Sequence, residues 1–223
     1  MGITSIITGC LIIIVTYLIR AEFRANKKQV YFLKPTASLL IVATIVISFF
    51  LKGDSTAFKT TILLGMLFCL GGDVALMFDS SKAFKAGLVL FLIGHIFYAA
   101  TLLAFNDVTF FEPLPSLSVL FVSLLVFRYL FPGLKEMKVP VLFYIIVISI
   151  MLNAALLTFQ SGFFNETQAW LLAIGAALFY ISDIILAVNK FRLPFKYNRI
   201  SLAFYFAGQL LIALSTHSMS LPA

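Results

Sequence analysis

Eight apolar stretches follow one another along this chain, near 3–19, 35–51, 60–78, 86–104, 116–131, 140–159, 168–188 and 199–217. A helix needs roughly 20 mostly apolar residues to cross a bilayer, and each stretch comes close to that length. The expected fold is therefore all-α: a polytopic integral membrane bundle of eight transmembrane helices, forming a single domain over 1–223. Composition agrees, since the 223 residues are 62% hydrophobic and 11% charged with mean hydropathy +1.08, whereas a soluble domain is about half apolar and about a quarter charged. All seven prolines are expected in loops or at span ends, where a missing N–H does least harm. No linker or soluble insertion interrupts the spans. The first span lacks a basic leader and a small-residue cleavage site, so it is expected to be retained.

A net charge of +7 suggests an anionic partner, but its placement has a simpler cause. Fourteen of the sixteen Lys and Arg residues fall in or beside the loops after the odd-numbered spans, against Lys52 and Lys59 on the other side. The positive-inside rule places those loops in the cytoplasm and both termini on the non-cytoplasmic side. The expected location is a bacterial inner membrane, with the lipid bilayer rather than nucleic acid as partner. Cys10 and Cys69 lie inside apolar spans without paired spacing and are expected to be packing residues. No metal framework and no cofactor are expected.

The third and fourth spans resemble the seventh and eighth. Each pair runs through a Gly and aromatic segment, an Asp, a short basic loop, and a helix with a polar residue near its centre, His95 or Gln209. Four helices per repeat would leave the two halves in the same orientation. Glycines cluster in these four spans and favour close helix approach, so they are expected around the working centre. The second and fifth spans are expected nearer the lipid.

Asp73 and Asp183 are the acidic residues well inside spans. A carboxylate there costs a few kcal/mol on insertion scales, which makes a functional cavity the leading explanation. Counted from the span ends, both are expected roughly 7–8 Å deep on one level. Helical spacing puts Tyr180 with Asp183, His95 with Tyr98, and Tyr205 with Gln209 on shared faces, while Asn153 is a candidate from higher up. Asn189, Lys190, Tyr197 and Arg199 stand beyond Asp183 at headgroup depth, where a lipid phosphate is the natural anion. Two carboxyl groups facing one cavity do not easily both ionise, and one neutral with one ionised makes an acid and a base. No Walker A loop, G-x-S-x-G elbow or H-E-x-x-H motif is present in the sequence, so serine-triad and zinc chemistry lack their parts.

The segments GGDVALMF (71–78), GHIFYA (94–99), ISDIILAVNKF (181–191) with Pro194, Tyr197 and Arg199, and FYFAGQLLIALS (204–215) resemble the YhhN-like lysoplasmalogenase family. The resemblance implies eight spans and hydrolysis of the vinyl ether bond of a lysoplasmalogen of ethanolamine or choline to a fatty aldehyde and a glycerophospho-base. It also implies Asp73 and Asp183 as the catalytic pair, with His95, Tyr98, Asn189, Lys190, Tyr205 and Gln209 around the lipid. Proton transfer to the β-carbon followed by water capture needs only a neutral Asp and an ionised one, by the logic of paired carboxylates in glycosidases. Asp183 beside Tyr180 is the favoured donor, and Asp73 the base and cation stabiliser. A proton-coupled transporter and a non-catalytic lipid-binding protein are the alternatives, because intramembrane carboxylates serve those roles too.

Overall fold

The computed structural model describes residues 2–51, 55–106, 113–195 and 198–217. Among them the long elements are α1 (Ile3–Phe23), α2 (Lys27–Ser48), α3 (Thr56–Ala75), α4 (Ser81–Phe105), α5 (Pro113–Leu130), α6 (Lys138–Leu157), α7 (Glu166–Phe191) and α8 (Ser201–Ser215). The chain is an integral membrane protein of helical class: among the described residues, α1 to α7 are long and apolar enough to cross a membrane. The eighth helix is shorter, at 15 residues.

Polar residues at the boundaries set where the helices begin. Ser55 accepts from Phe58 N at 3.1 Å and Ser80 from Ala83 N at 3.0 Å. Asn165 and Gln168 form a reciprocal capping box at the start of α7, satisfying first-turn N–H groups that have no partner inside the helix. At α2 the same chemistry overturns an expectation. Asn26 caps the helix by accepting from Gln29 N at 3.2 Å, so α2 starts at Lys27 and Pro35 lies inside the helix rather than at a span end. Lys34, expected in a basic loop, is consequently a buried residue of α2.

Close helix pairs organise the bundle: α3 lies along α4, and α7 along α8. Both pairs cross at glycine. A Cβ on Gly94 would stand 2.9 Å from Gly65 O, and one on Gly208 only 2.7 Å from Gly175 O, so no larger residue fits without separating the helices. Against expectation, α2 belongs to the interior. It packs on α1, α3 and α8, burying Ala37, Ser38 and Ile41, because Lys34 and Ser38 lie on the same face as its apolar stripe. The fifth helix matches its expected place, packing on α6 with Leu117, Phe121 and Leu124 outward. Cys69 is buried, whereas Cys10 faces outward from α1 and packs nothing. Gly133, in the short turn after α5, meets the end of α7 so closely that a Cβ would overlap Phe191 O at 1.6 Å.

Candidate functional site

Asp73 sits in the last turn of α3 and is 1% exposed. Its Oδ2 accepts from Ser38 Oγ at 2.7 Å and from Tyr205 Oη at 2.6 Å, and Lys34 Nζ stands 3.4 Å from Oδ1. A buried carboxylate is tolerated when a cation and hydroxyl donors replace its water, and two helices, α2 and α8, supply this set to Asp73 of α3. Asp73 and Tyr205 thus come together. Lys34 and Ser38 were not anticipated.

Asp183, on α7, has a different shell. Tyr144 Oη of α6 donates to its Oδ2 at 2.6 Å, and His95 Nε2 of α4 lies 3.8 Å from the same oxygen. The side chain is 15% exposed, against 2% for Asp73. His95 Nδ1 is 2.7 Å from Phe91 O. A carbonyl can only accept, so Nδ1 carries the hydrogen and Nε2 faces Asp183 with no hydrogen bond to any described residue. Tyr180 shares the face of Asp183, but its hydroxyl meets Ser123 Oγ at 3.0 Å; Tyr144 takes the place expected for it.

Between the two carboxyl groups, Tyr98 Oη donates to Gln209 Oε1 at 2.8 Å, joining α4 to α8. Gln209 Nε2 is buried without a hydrogen bond to any described residue. Buried polar atoms are nearly always satisfied, and the two nitrogens differ here: the Gln209 amide interacts with the buried Cys69 thiol, whereas His95 Nε2 has Asp183 Oδ2 before it at 3.8 Å, beyond hydrogen-bond reach.

Of three cavities in this part of the bundle, one reaches Asp183. A narrow apolar cleft of about 60 Å³ has Asp183, Tyr144 and Tyr180 in its wall, with Phe91 and Ile148, and Lys190 further along α7. Lys190 also lines an adjoining polar vestibule of about 910 Å³ with Lys85 and Lys135 and with the acidic Asp79 and Glu136; its Nζ rests 4.6 Å above the Phe84 ring. A groove of about 480 Å³ between α5 and α6, lined by Ile145, Ile146, Ser149, Ile150 and Asn153, shares Ile145 with the cleft. Asp73 is not among the residues lining these cavities.

Several anticipated ligands have other duties. Asn153 binds Ser116 Oγ at 3.1 Å in the groove, away from the carboxyl groups. Asn189 Oδ1 accepts from Phe195 N at 3.3 Å and from Asn198 Nδ2 at 2.6 Å, so it ties down the chain after α7. Arg199 pairs with Glu22 of α1 at 3.3 Å. Tyr197 lies outside the described residues. Among the described residues no cluster of three His, Cys, Asp or Glu could hold a metal.

Together these features define a class: a polytopic helical membrane protein with two carboxyl sites inside the bundle, one sealed and one in the wall of an apolar cleft that adjoins a polar vestibule bearing three lysines. Within that class the chain belongs to the YhhN family, whose profile matches residues 29–216. It is similar to the lysoplasmalogenase TMEM86A of Bos taurus, 31% identical over 165 residues covering 70% of this chain and 65% of that protein. The Homo sapiens protein of the same name is 32% identical over 162 residues, with the same coverage. The chain thus aligns with slightly under two thirds of these relatives' length. The uncharacterized membrane protein YhhN of Shigella flexneri is 27% identical over 202 residues, covering 88% of this chain and 91% of that one. No solved structure matches the chain significantly.

Proposed function

We propose that this protein is a membrane lipid hydrolase that cleaves the vinyl ether bond of a lysoplasmalogen, releasing a fatty aldehyde and a glycerophospho-base. The observation that carries the reading is Asp183 in the wall of an apolar cleft that adjoins a vestibule bearing Lys85, Lys135 and Lys190. The names of the mammalian relatives support it. In this arrangement the phosphate lies among the lysines, the glycerol and vinyl ether enter the cleft, and the hydrocarbon chain continues toward the α5–α6 groove. The positive-inside rule puts the vestibule on the cytoplasmic face and both termini on the other.

Chemistry begins with a neutral Asp183. Tyr144 occupies Oδ2, leaving Oδ1 to carry the transferable proton. That proton passes to the β-carbon of the vinyl ether, whose π pair forms the new C–H bond and leaves an oxocarbenium ion. Water adds to the cationic carbon, and its proton goes to the Asp183 carboxylate, with His95 Nε2 as the acceptor that orients it. The hemiacetal then breaks its C–O bond, the reprotonated Asp183 donating to the leaving glycerol oxygen and taking up the hydroxyl proton, to give aldehyde and alcohol. Asp73, ionised beside Lys34, contributes a fixed negative charge near the developing cation, a form of stabilisation that costs no reorganisation at the moment of reaction.

The test is aldehyde release, read by mass spectrometry, from an ethanolamine or choline lysoplasmalogen by purified protein in detergent. Wild type releases aldehyde, while Asp183→Asn and Asp73→Asn do not. A folded wild type that binds lysolipid and releases none would remove the vinyl ether as substrate.

A further inference from the structure

Lys34 and Tyr144 are 110 residues apart, and so are the carboxyl groups they contact, Asp73 and Asp183. The same offset relates Gly65 to Gly175, where α3 and α7 cross their partner helices, and the helix caps Ser55 and Asn165. With a loop four residues longer, an offset of 114 relates Phe91 to Tyr205, Gly94 to Gly208 and His95 to Gln209. Packing follows the same correspondence: α2 on α3 and α3 on α4 in one half, α6 on α7 and α7 on α8 in the other. The last helix of each half serves the other half's carboxyl group, Tyr205 of α8 reaching Asp73 and His95 of α4 facing Asp183.

We infer that α1–α4 and α5–α8 are two copies of one unit whose carboxyl sites have diverged, one into a sealed electrostatic site and the other into the proton-donating site, with Lys34 the positioning residue that sets the division. The donor role rests on the function proposed above; the division itself does not.

Matching positions carry the argument. Asp73 is held by Lys34, Ser38 and Tyr205. Their counterparts at the same offsets are Tyr144, Ile148 and Phe91, and all three line the cleft at Asp183. One cation and two hydroxyls on the first carboxylate have become one hydroxyl and two apolar side chains on the second. The first set supplies the charge and donors that an anion needs in place of water. The second leaves one carboxyl oxygen free for a proton and vacates the space where a substrate enters. An internal repeat is by itself only architecture; the exchange of a lysine for a tyrosine at corresponding positions gives the two carboxyl groups separate tasks.

The experiment combines Lys34→Met, Lys34→Arg and Lys34→Met/Asp73→Asn with three readouts in detergent: aldehyde turnover, thermal melting, and the protonated-carboxyl stretch in infrared spectra. In wild type the infrared band is expected to vanish in Asp183→Asn and persist in Asp73→Asn. In Lys34→Met a second band is expected, lost again when Asp73→Asn is added. Lys34→Met loses on the order of 100-fold in kcat, the scale of one preorganised electrostatic group, and melts lower. Lys34→Arg recovers most of both losses. The double variant, freed of the unpaired charge, recovers the melting temperature but not the turnover. Full turnover in the double variant would make the pair merely structural and overturn the inference, as would a wild-type band that belongs to Asp73. The infrared arm stands even if the vinyl ether proves to be the wrong substrate.

Discussion

The hydroxyl of Tyr144 on α6 donates to Oδ2 of Asp183 on α7 at 2.6 Å, while its ring meets His95 edge-on with centroids 5.3 Å apart. Tyr144→Phe keeps the ring and removes the bond. A hydrogen bond to a carboxylate is worth about 1.5–3 kcal/mol, and Asp183 becomes one as it gives up its proton, so the bond corresponds to roughly 10–100-fold in rate in the transition state. Turnover should fall in that range with KM little changed, as steady-state aldehyde kinetics would read. Activity within twofold of wild type would mean that Tyr144 does not orient Asp183.

At the α7–α8 crossing, Gly208→Ala places a methyl group 2.7 Å from Gly175 O and 2.9 Å from Phe179 N. Both contacts are backbone, so the helices must part, and overpacking of this kind costs about 1–3 kcal/mol. Gly9→Ala is the contrast, since a Cβ there meets nothing within 4 Å and alanine favours a helix interior by roughly 0.5–1 kcal/mol. Thermal unfolding in detergent should show the first variant below wild type and the second at or above it.

Lys190 serves both the cleft and the vestibule. On the proposed reading Lys190→Ala removes a cation that meets the substrate phosphate, with no loss at Asp183. Binding of substrate and transition state should weaken equally, raising KM about tenfold and leaving kcat near wild type. A fall in kcat at unchanged KM would place Lys190 in the chemistry instead.

The α5–α6 groove predicts chain-length discrimination. Ile146 lines it and is 45% exposed, so Ile146→Trp fills the groove without removing a hydrogen bond of the interior. Long-chain substrates should lose turnover while short-chain analogues keep it. Equal loss across chain lengths, or none, would show that the chain lies elsewhere.

Asp73 and Asp183 could be read from the amino-acid order because a carboxylate inside an apolar run is expensive wherever it is found. Lys34 could not, since it follows Lys27 and Lys28 near the edge of a span, where a lysine ordinarily meets water and headgroups. Tyr144 stands within an apolar run of α6 and carries no local mark of its contact with Asp183. Asn189 and Arg199 had the chemistry of headgroup ligands but are used by the chain itself.

Hydropathy, glycine placement and the two carboxylates by themselves determined that this protein is a helical membrane bundle and which two acidic residues lie inside it. Those are costs paid by each segment alone against lipid, so they can be read segment by segment. Tertiary structure decided which face of α2 turns inward, that Lys34 and Ser38 seal Asp73, and that Asp183 is left with Tyr144 beside an open cleft. The partner of a buried polar group is chosen by geometry between helices far apart in the chain, and no single segment contains that information.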